Sequence, residues 1–168
     1  MGTIKEGWVG RFFEDFGVGD IYRCRLGRTI TETDNIQFTL LTNNTNQIHF
    51  NAHYASRTEF KRPLVNSAMT LSVIAGLGVA DISENGFALG WDYIKLPNPV
   101  FAGDTLYSES EVISRRESKS RPEQGIIKVR TRGINQDGLV VIEYERSVMV
   151  WKKGHAPLKD LFPEVKKG

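Results

Sequence analysis

The chain has 168 residues, 40% of them hydrophobic, and a net charge of only +2. That length suits one compact domain, and nine Phe, three Trp and five Tyr exclude extended disorder. The near-neutral charge does not indicate a nucleic-acid-binding protein, and one Cys with three His excludes a disulfide scaffold and a Cys/His zinc site.

The amino terminus and the most apolar segment predict the compartment. Residues 1–16 lack a basic region followed by an apolar run, so we expect no signal peptide. Residues 71–80 are too few to cross a bilayer. We therefore expect a soluble, cytoplasmic protein that binds neither a membrane nor nucleic acid, with Cys24 as a small structural residue.

The first half of the chain is predicted to form one strand and then helices. The strand is expected near residues 20–28. Thr31 and Asp34 form a capping-box pattern, which predicts a helix over residues 32–41. The apolar side chains at helical spacing on its expected buried face are Ile36, Leu40 and Leu41. A turn rich in Asn ends this helix, and a short helix over residues 52–58 follows.

Residues 64–82 predict the centre of the fold. This segment has helical length but is apolar on every face, which is typical of a helix enclosed by other elements. The period-two patterns and turn signals that follow predict four strands, at residues 86–96, 105–115, 125–136 and 139–152.

This order predicts an α+β hot-dog fold, an antiparallel sheet curved around one apolar helix. One sheet cannot cover every side of the helix, so we expect a second copy beside it and predict an obligate dimer. The hot-dog domain is expected over residues 19–153, between an N-terminal surface segment (1–18) and a tail (154–168).

The densest polar segment, residues 42–53, lies between two predicted helices. His49 is its acid–base candidate, because His titrates near neutral pH without perturbation. The alternative is that the Asn residues form turns and His49 is structural. His53 follows four residues later, but no carboxylate or Cys lies nearby in the sequence, so we expect no metal site.

Two further features have possible binding roles. Asn66 and Ser67 lie at the start of the central helix, where free backbone N–H groups polarise a carbonyl, unless Asn66 simply caps the helix. Residues 115–132 hold seven basic residues against two acidic ones. That excess suits a phosphorylated ligand or, equally, a solvated strand face.

Four segments together resemble the MaoC-like (R)-specific enoyl-CoA hydratases: GRTITETD (27–34), LTNNTNQIH (41–49), MTLS (69–72) and PVFAGDTL (99–106). The resemblance covers most of the chain, from residue 13 to residue 151. It implies a hot-dog fold, a homodimer or higher oligomer, and a hydro-lyase that hydrates an enoyl thioester of coenzyme A. It implies no cofactor, because CoA is part of the substrate.

The chain departs from the family motif Gly-Asp-x-Asn-Pro-aliphatic-His, in which Asp and His are the catalytic pair. Asn46 and His49 match, but Asn44 stands at the Asp position, and an amide cannot accept a proton as a carboxylate does. The segments that resemble a subgroup with a second carboxylate on the substrate, the mesaconyl-CoA hydratases (β-methylmalyl-CoA dehydratases), are NTNQIH (44–49), LGWD (89–92) and RESKSRP (116–122).

The resemblance implies a role for each candidate. His49 transfers the proton, Asn44 positions the water and Asn46 orients the loop. The family's His-Gly at the start of the central helix is Asn66-Ser67 here, and backbone N–H groups around Ser67 polarise the thioester. Three groups are candidates for the missing base: His49 itself, a carboxylate of the substrate, and a carboxylate such as Asp92. The cations considered for CoA or a substrate carboxylate are Arg57, Lys61, Arg62, Arg116, Lys119 and Arg121.

Two other functions remain open. A hot-dog thioesterase normally needs an acidic residue on the central helix, and residues 64–80 contain none. A non-catalytic acyl-CoA-binding protein, or an inactive partner subunit, stays open because Asn44 stands at the position of the motif Asp.

Overall fold

The structure is a computed structural model in which residues 2–5 and 7–157 are described. Most of the tail expected at 154–168 lies outside the described residues. The helices and strands are, in chain order, β1 (Ile21–Arg23), β2 (Arg28–Thr29), α1 (Glu32–Leu41), α2 (Ala52–Ala55), α3 (Ser67–Leu77), β3 (Gly86–Lys95), β4 (Thr105–Glu117), β5 (Gln124–Asn135) and β6 (Val140–Trp151).

The six strands form one antiparallel sheet in the order β1-β4-β5-β6-β3, and β2 also pairs with β4. Helix α3 packs on the inner face of this sheet, where Ile74 lies with Ile142 and Tyr144 in one hydrophobic core. A Cβ atom at Gly133 would lie 2.6 Å from side-chain carbons of Ile74 and Ile142, so glycine lets the helix approach the sheet closely. The predicted hot-dog fold is confirmed.

The buried faces of β5 and β6 follow the predicted period of two. Ile127, Val129 and Thr131 are all buried in β5. The inner face of β6 also carries a charged residue that the apolar pattern did not predict. This residue is Arg146, which is only 4% exposed. A second hydrophobic core, farther along these strands, receives Phe13 from the N-terminal segment.

Helix α1 has the predicted bounds, and its capping box is confirmed by two reciprocal hydrogen bonds between Thr31 and Asp34. The prediction for its buried face was wrong. Leu40 is 67% exposed and Leu41 is 82% exposed, whereas Asn35 and Thr39 are buried. Asn35 turns inward because its amide bonds backbone groups of residues 49, 64 and 66, and Phe38, rather than Leu40 or Leu41, packs against the hydrophobic core.

The other differences concern the bounds of elements. The expected strand over residues 20–28 is two short strands, β1 and β2, and α2 ends at Ala55 rather than at residue 58. The helix expected over 64–82 is α3 followed by a π-helical turn at Val79–Ser83. Within one chain, α3 is not enclosed on every side, because its exposed residues include Ala68, Ser72 and Gly76.

None of the helices in the described part of the chain combines the length and apolar character that crossing a membrane requires.

Candidate active site

The polar segment between α1 and α2 forms a loop that its own amides hold in place. The Asn44 Oδ1 atom accepts a hydrogen bond from the backbone N–H of Asn46 at 3.0 Å. The Asn46 Oδ1 atom accepts one from Ile48 N–H at 3.2 Å and so caps the single 3-10 turn Gln47–His49. Both amides therefore fix the backbone that presents His49, and the Asn44 side chain keeps its N–H donors for another partner.

His49 is 8% exposed, and its ring is oriented by one backbone carbonyl. The Nδ1 atom lies 2.9 Å from the carbonyl oxygen of Leu64. Because a carbonyl only accepts, Nδ1 carries the hydrogen in this contact, and the neutral ring then has its lone pair on Nε2. Nε2 makes no hydrogen bond with any described residue, so it is available to take a proton from a bound water.

The start of α3, three residues after Leu64, provides a free donor. The Asn66 Oδ1 atom caps the helix by accepting from Ala68 N–H at 3.0 Å. Ser67 is the first residue of α3, and its N–H has no hydrogen-bond partner within the described ranges. Ser67 lines a cavity of about 290 Å³ together with Phe60, Thr70 and residues 96–100. Leu64, whose carbonyl orients His49, lines the same cavity.

Asn35 is a residue of this site that sequence reasoning missed. It lies on α1, is 3% exposed and connects three backbone groups of the site. Its Nδ2 atom donates to the carbonyls of His49, at 2.8 Å, and of Leu64, at 3.1 Å. Its Oδ1 atom accepts from Asn66 N–H at 2.8 Å. The available signal was the spacing of Asn35 and Thr39, two polar residues one helical turn apart that share the buried face.

Of the predicted cations, Arg62 lies two residues before Leu64, which lines the cavity. Its guanidinium stacks on the ring of Phe101 at 3.9 Å, and Phe101 pairs with Leu64 in an isolated β-bridge. Arg62 is exposed and forms no ion pair with another described residue. Arg57 and Lys61 are exposed on the segment between α2 and α3.

The basic segment does not join this site within one chain. On the outer face of β5, Lys128 and Arg130 bind Glu145, and Arg132 binds Glu143. The hydrogen bonds from Lys128 and Arg130 hold the pKa of Glu145 below its usual range. Strands β5 and β6 thus share a ladder of ion pairs, to which Glu111 of β4 adds a contact with Arg130, rather than a free basic patch.

Arg116, Lys119 and Arg121 lie at the far end of the β4–β5 hairpin. Strand β4 has 13 residues, so this end is about 40 Å along the strand from the end near α3. Asp92 forms a salt bridge with Lys128 at 3.0 Å, which commits that candidate base to the outer face of the sheet.

The remaining titratable candidates show no cluster. His53 and His155 are exposed, and the described residues contain no group of three or more His, Cys, Asp or Glu side chains placed to hold a metal ion. Burial raises the pKa of the Cys24 thiol, which favours the neutral, unreactive form.

Comparison with known proteins gives one family match and several relatives. The model of the mesaconyl-CoA hydratase family matches residues 4–158. Mesaconyl-CoA hydratase of Cereibacter sphaeroides is 35% identical over 149 residues, which are 88% of this chain and 43% of that protein. The chain thus spans less than half the length of this curated relative.

Solved structures agree with the fold. A MaoC domain dehydratase from Chloroflexus aurantiacus superposes with a TM-score of 0.84 and 32% identity, over 97% of this chain and 47% of that one. A Mycobacterium tuberculosis protein with a double hotdog fold has a TM-score of 0.78 and 19% identity, over 92% of this chain and 47% of that one. Each of these proteins is about twice as long as the region it shares with this chain.

Proposed function

Because this chain belongs to the mesaconyl-CoA hydratase family, we propose that it adds water reversibly to the double bond of an enoyl-CoA thioester. The proposed substrate is dicarboxylic, such as mesaconyl-CoA, whose hydration gives β-methylmalyl-CoA. The observation that carries the proposal is that the Leu64 carbonyl orients the ring of His49, while Leu64 and Ser67, whose N–H is free, line one cavity.

The proposed reaction needs a polarised carbonyl, an activated water and a proton donor. The N–H of Ser67, at the positive end of α3, hydrogen bonds to the thioester oxygen and stabilises the enolate as the β-carbon is attacked. The water oxygen bonds to the β-carbon while Nε2 of His49 takes a water proton. That proton then passes to the α-carbon, so H and OH are added without any other reactant.

Asn44 assists this step as a hydrogen-bond donor. Its Oδ1 atom already holds Asn46 N–H, so its Nδ2 group is the part that remains to position the water. An amide cannot take the water proton, and Asp92 is held by Lys128, so His49 is the base that this chain supplies in the proposed mechanism.

Arg62 is the proposed partner of the second carboxylate or of a CoA phosphate. A guanidinium stacked on an aromatic ring is held in one plane and presents its remaining N–H edge to an anion. Arg116, Lys119 and Arg121 lie too far along the sheet to contact the same substrate molecule from the same chain. A role for them in CoA binding requires a second subunit.

We also propose that a second copy of this chain pairs with the first. Strand β3 ends the sheet, and its flanks expose the large apolar side chains Phe87, Leu89, Trp91, Ile94 and Leu96. An edge strand with such a surface is a template for further pairing, and a copy packed there also covers the open side of α3. The double length of the relatives supports two such units. The cytoplasmic location stays a prediction.

The test measures turnover of a panel of 2-enoyl-CoAs with and without a second carboxylate. Turnover is monitored as the decrease in the absorbance of the enoyl thioester. We expect mesaconyl-CoA to be hydrated, and His49→Ala to lower kcat by about 10²–10⁴-fold because acid–base catalysis is lost. The matched control is His53→Ala, an exposed histidine on the neighbouring helix. Equal turnover by the His49 variant and the control would remove His49 from the mechanism.

The same assay separates the two other functions. A thioesterase releases free CoA, which a thiol reagent detects, whereas a hydratase leaves the thioester intact. Binding of enoyl-CoAs without turnover of any of them would favour the non-catalytic acyl-CoA-binding protein.

A further inference from the structure

Asn35 is one buried side chain whose three hydrogen bonds reach every segment of the candidate site. Its two donor contacts end on the carbonyls of His49 and Leu64, and its oxygen receives the N–H of Asn66. Two carbonyls face Nδ2 and one N–H faces Oδ1, so this orientation of the amide matches all three partners. An unpaired group on a buried amide destabilises the fold, so the structure favours keeping all three contacts.

The Leu64 carbonyl connects Asn35 to the histidine ring. This oxygen accepts from Nδ2 of Asn35 at 3.1 Å and from Nδ1 of His49 at 2.9 Å. Asn35 thus holds the acceptor that fixes the tautomer of His49, and it also holds the backbone of His49 itself. The Nε2 lone pair depends on that tautomer.

The oxygen of the same amide holds the other half of the site. Asn66 is the N-cap of α3, and its backbone N–H is bound by Asn35 Oδ1 at 2.8 Å. The next N–H along the chain is the free donor of Ser67. A single rigid side chain therefore sets the distance between the proton-transfer group and the carbonyl-polarising donor.

We propose that Asn35 is a positioning residue for the hydration reaction, acting through the tautomer of His49 and through the start of α3. This inference rests on the proposed function for its kinetic consequence and on the hydrogen bonds alone for its structural one. Because hydration needs both groups within reach of one thioester, a small displacement of either lowers kcat more than it affects binding.

The chemistry of the amide makes the proposal specific. Asn35→Asp has the same shape and keeps the acceptor for Asn66 N–H, but it places an oxygen instead of Nδ2 against the two carbonyl oxygens, so both donor contacts are lost. Asn35→Leu has a similar volume and neither donor nor acceptor. Thr39→Val is the matched control, because Thr39 is buried on the same face of α1 and its hydroxyl has no partner in the described structure.

The first experiment reads the tautomer directly. His53→Gln and His155→Gln remove the two exposed histidines of the three in the chain, so that ¹⁵N NMR of the imidazole reports on His49 alone. We expect the hydrogen of the neutral ring on Nδ1, and a mixture of tautomers when Asn35→Leu or Asn35→Asp is added. The proposal is overturned if the parent ring carries its hydrogen on Nε2, a result that needs no variant of Asn35 to fold.

The second experiment reads the kinetics of variants that remain folded by thermal unfolding. Both Asn35 variants should lower kcat for mesaconyl-CoA about 10–100-fold, with KM changed less than about threefold, and Thr39→Val should match the parent. Parent-like kcat in both variants overturns the positioning role. Absence of turnover in the parent protein on every enoyl-CoA would instead overturn the proposed function, and the NMR result would still decide how Asn35 acts on His49.

Discussion

The approach of α3 to the sheet depends on the absence of a side chain at Gly133. A Cβ atom there would lie 2.6 Å from Cγ1 of Ile74 and 2.6 Å from Cγ2 of Ile142, well inside normal contact distance. Both neighbours are fully buried, so neither can move into solvent. We expect Gly133→Ala to lower the free energy of unfolding by about 1–3 kcal/mol, the usual cost of overpacking a core.

A double-mutant cycle tests whether contact with Ile74 causes the loss of stability in Gly133→Ala. Ile74→Ala by itself should cost about 2–5 kcal/mol by leaving a cavity, but it also removes the atoms that the new Cβ meets. The double variant should therefore be more stable than the sum of the two single losses predicts, by about 1 kcal/mol or more, in urea unfolding. The control is Gly90→Ala, another strand glycine, whose added Cβ would have no neighbour within 4 Å. Additive losses, or equal losses for both glycines, would refute the contact as the reason for Gly133.

Three other predictions concern the site, the partner and the core. Asn44→Asp keeps the acceptor for Asn46 N–H but replaces the free donor by a carboxylate. The preference for mesaconyl-CoA over an enoyl-CoA without a second carboxylate should therefore fall at least about tenfold in kcat/KM. Unchanged rates and preference would remove Asn44 from the mechanism. Trp91→Glu places a charge on the exposed edge strand and should convert a dimer into a monomer in light scattering, whereas Val18→Glu, also exposed but remote from β3, should not. A dimeric Trp91 variant would show that the copies meet elsewhere. Arg146 is buried and forms no ion pair within the described chain, so Arg146→Met should leave the free energy of unfolding equal or higher. A loss above about 3 kcal/mol would indicate that an anion or a partner binds the guanidinium.

The sequence predicted those parts of the fold that depend on local pattern. The bounds of α1 follow from the Thr31–Asp34 capping box, and the strands follow from alternation of apolar and polar residues. These signals act over two to four residues, so they can be recognised in the amino-acid sequence alone. The position of His49 in an Asn-rich loop was likewise visible, because the short side chains that cap turns are recognisable without tertiary structure.

The parts that were missed depend on contacts between distant segments. Asn35 and Asn66 are 31 positions apart, and no local pattern pairs an amide on one helix with the backbone at the start of another. The apolar pattern of α1 pointed to Leu40 and Leu41 as core, yet Phe38 packs against the core and Asn35 turns inward to bond backbone groups that only a polar side chain satisfies. The hydrophobic pattern predicts which residues avoid water, but it does not tell which surface inside the protein is itself polar.

The basic segment shows the same distinction in its charges. Counted along the chain, residues 115–132 suggest a cationic surface. In the sheet, Arg130 and Arg132 lie opposite acidic residues of β4 and β6, and Lys128 pairs diagonally with Glu145, so cross-strand pairing neutralises all three. The net charge of a strand therefore says little about the surface until the register of its neighbours is known. By contrast, Arg62 on the segment before α3 stacks on Phe101 and forms no ion pair with another described residue, so its charge is not neutralised within the described chain.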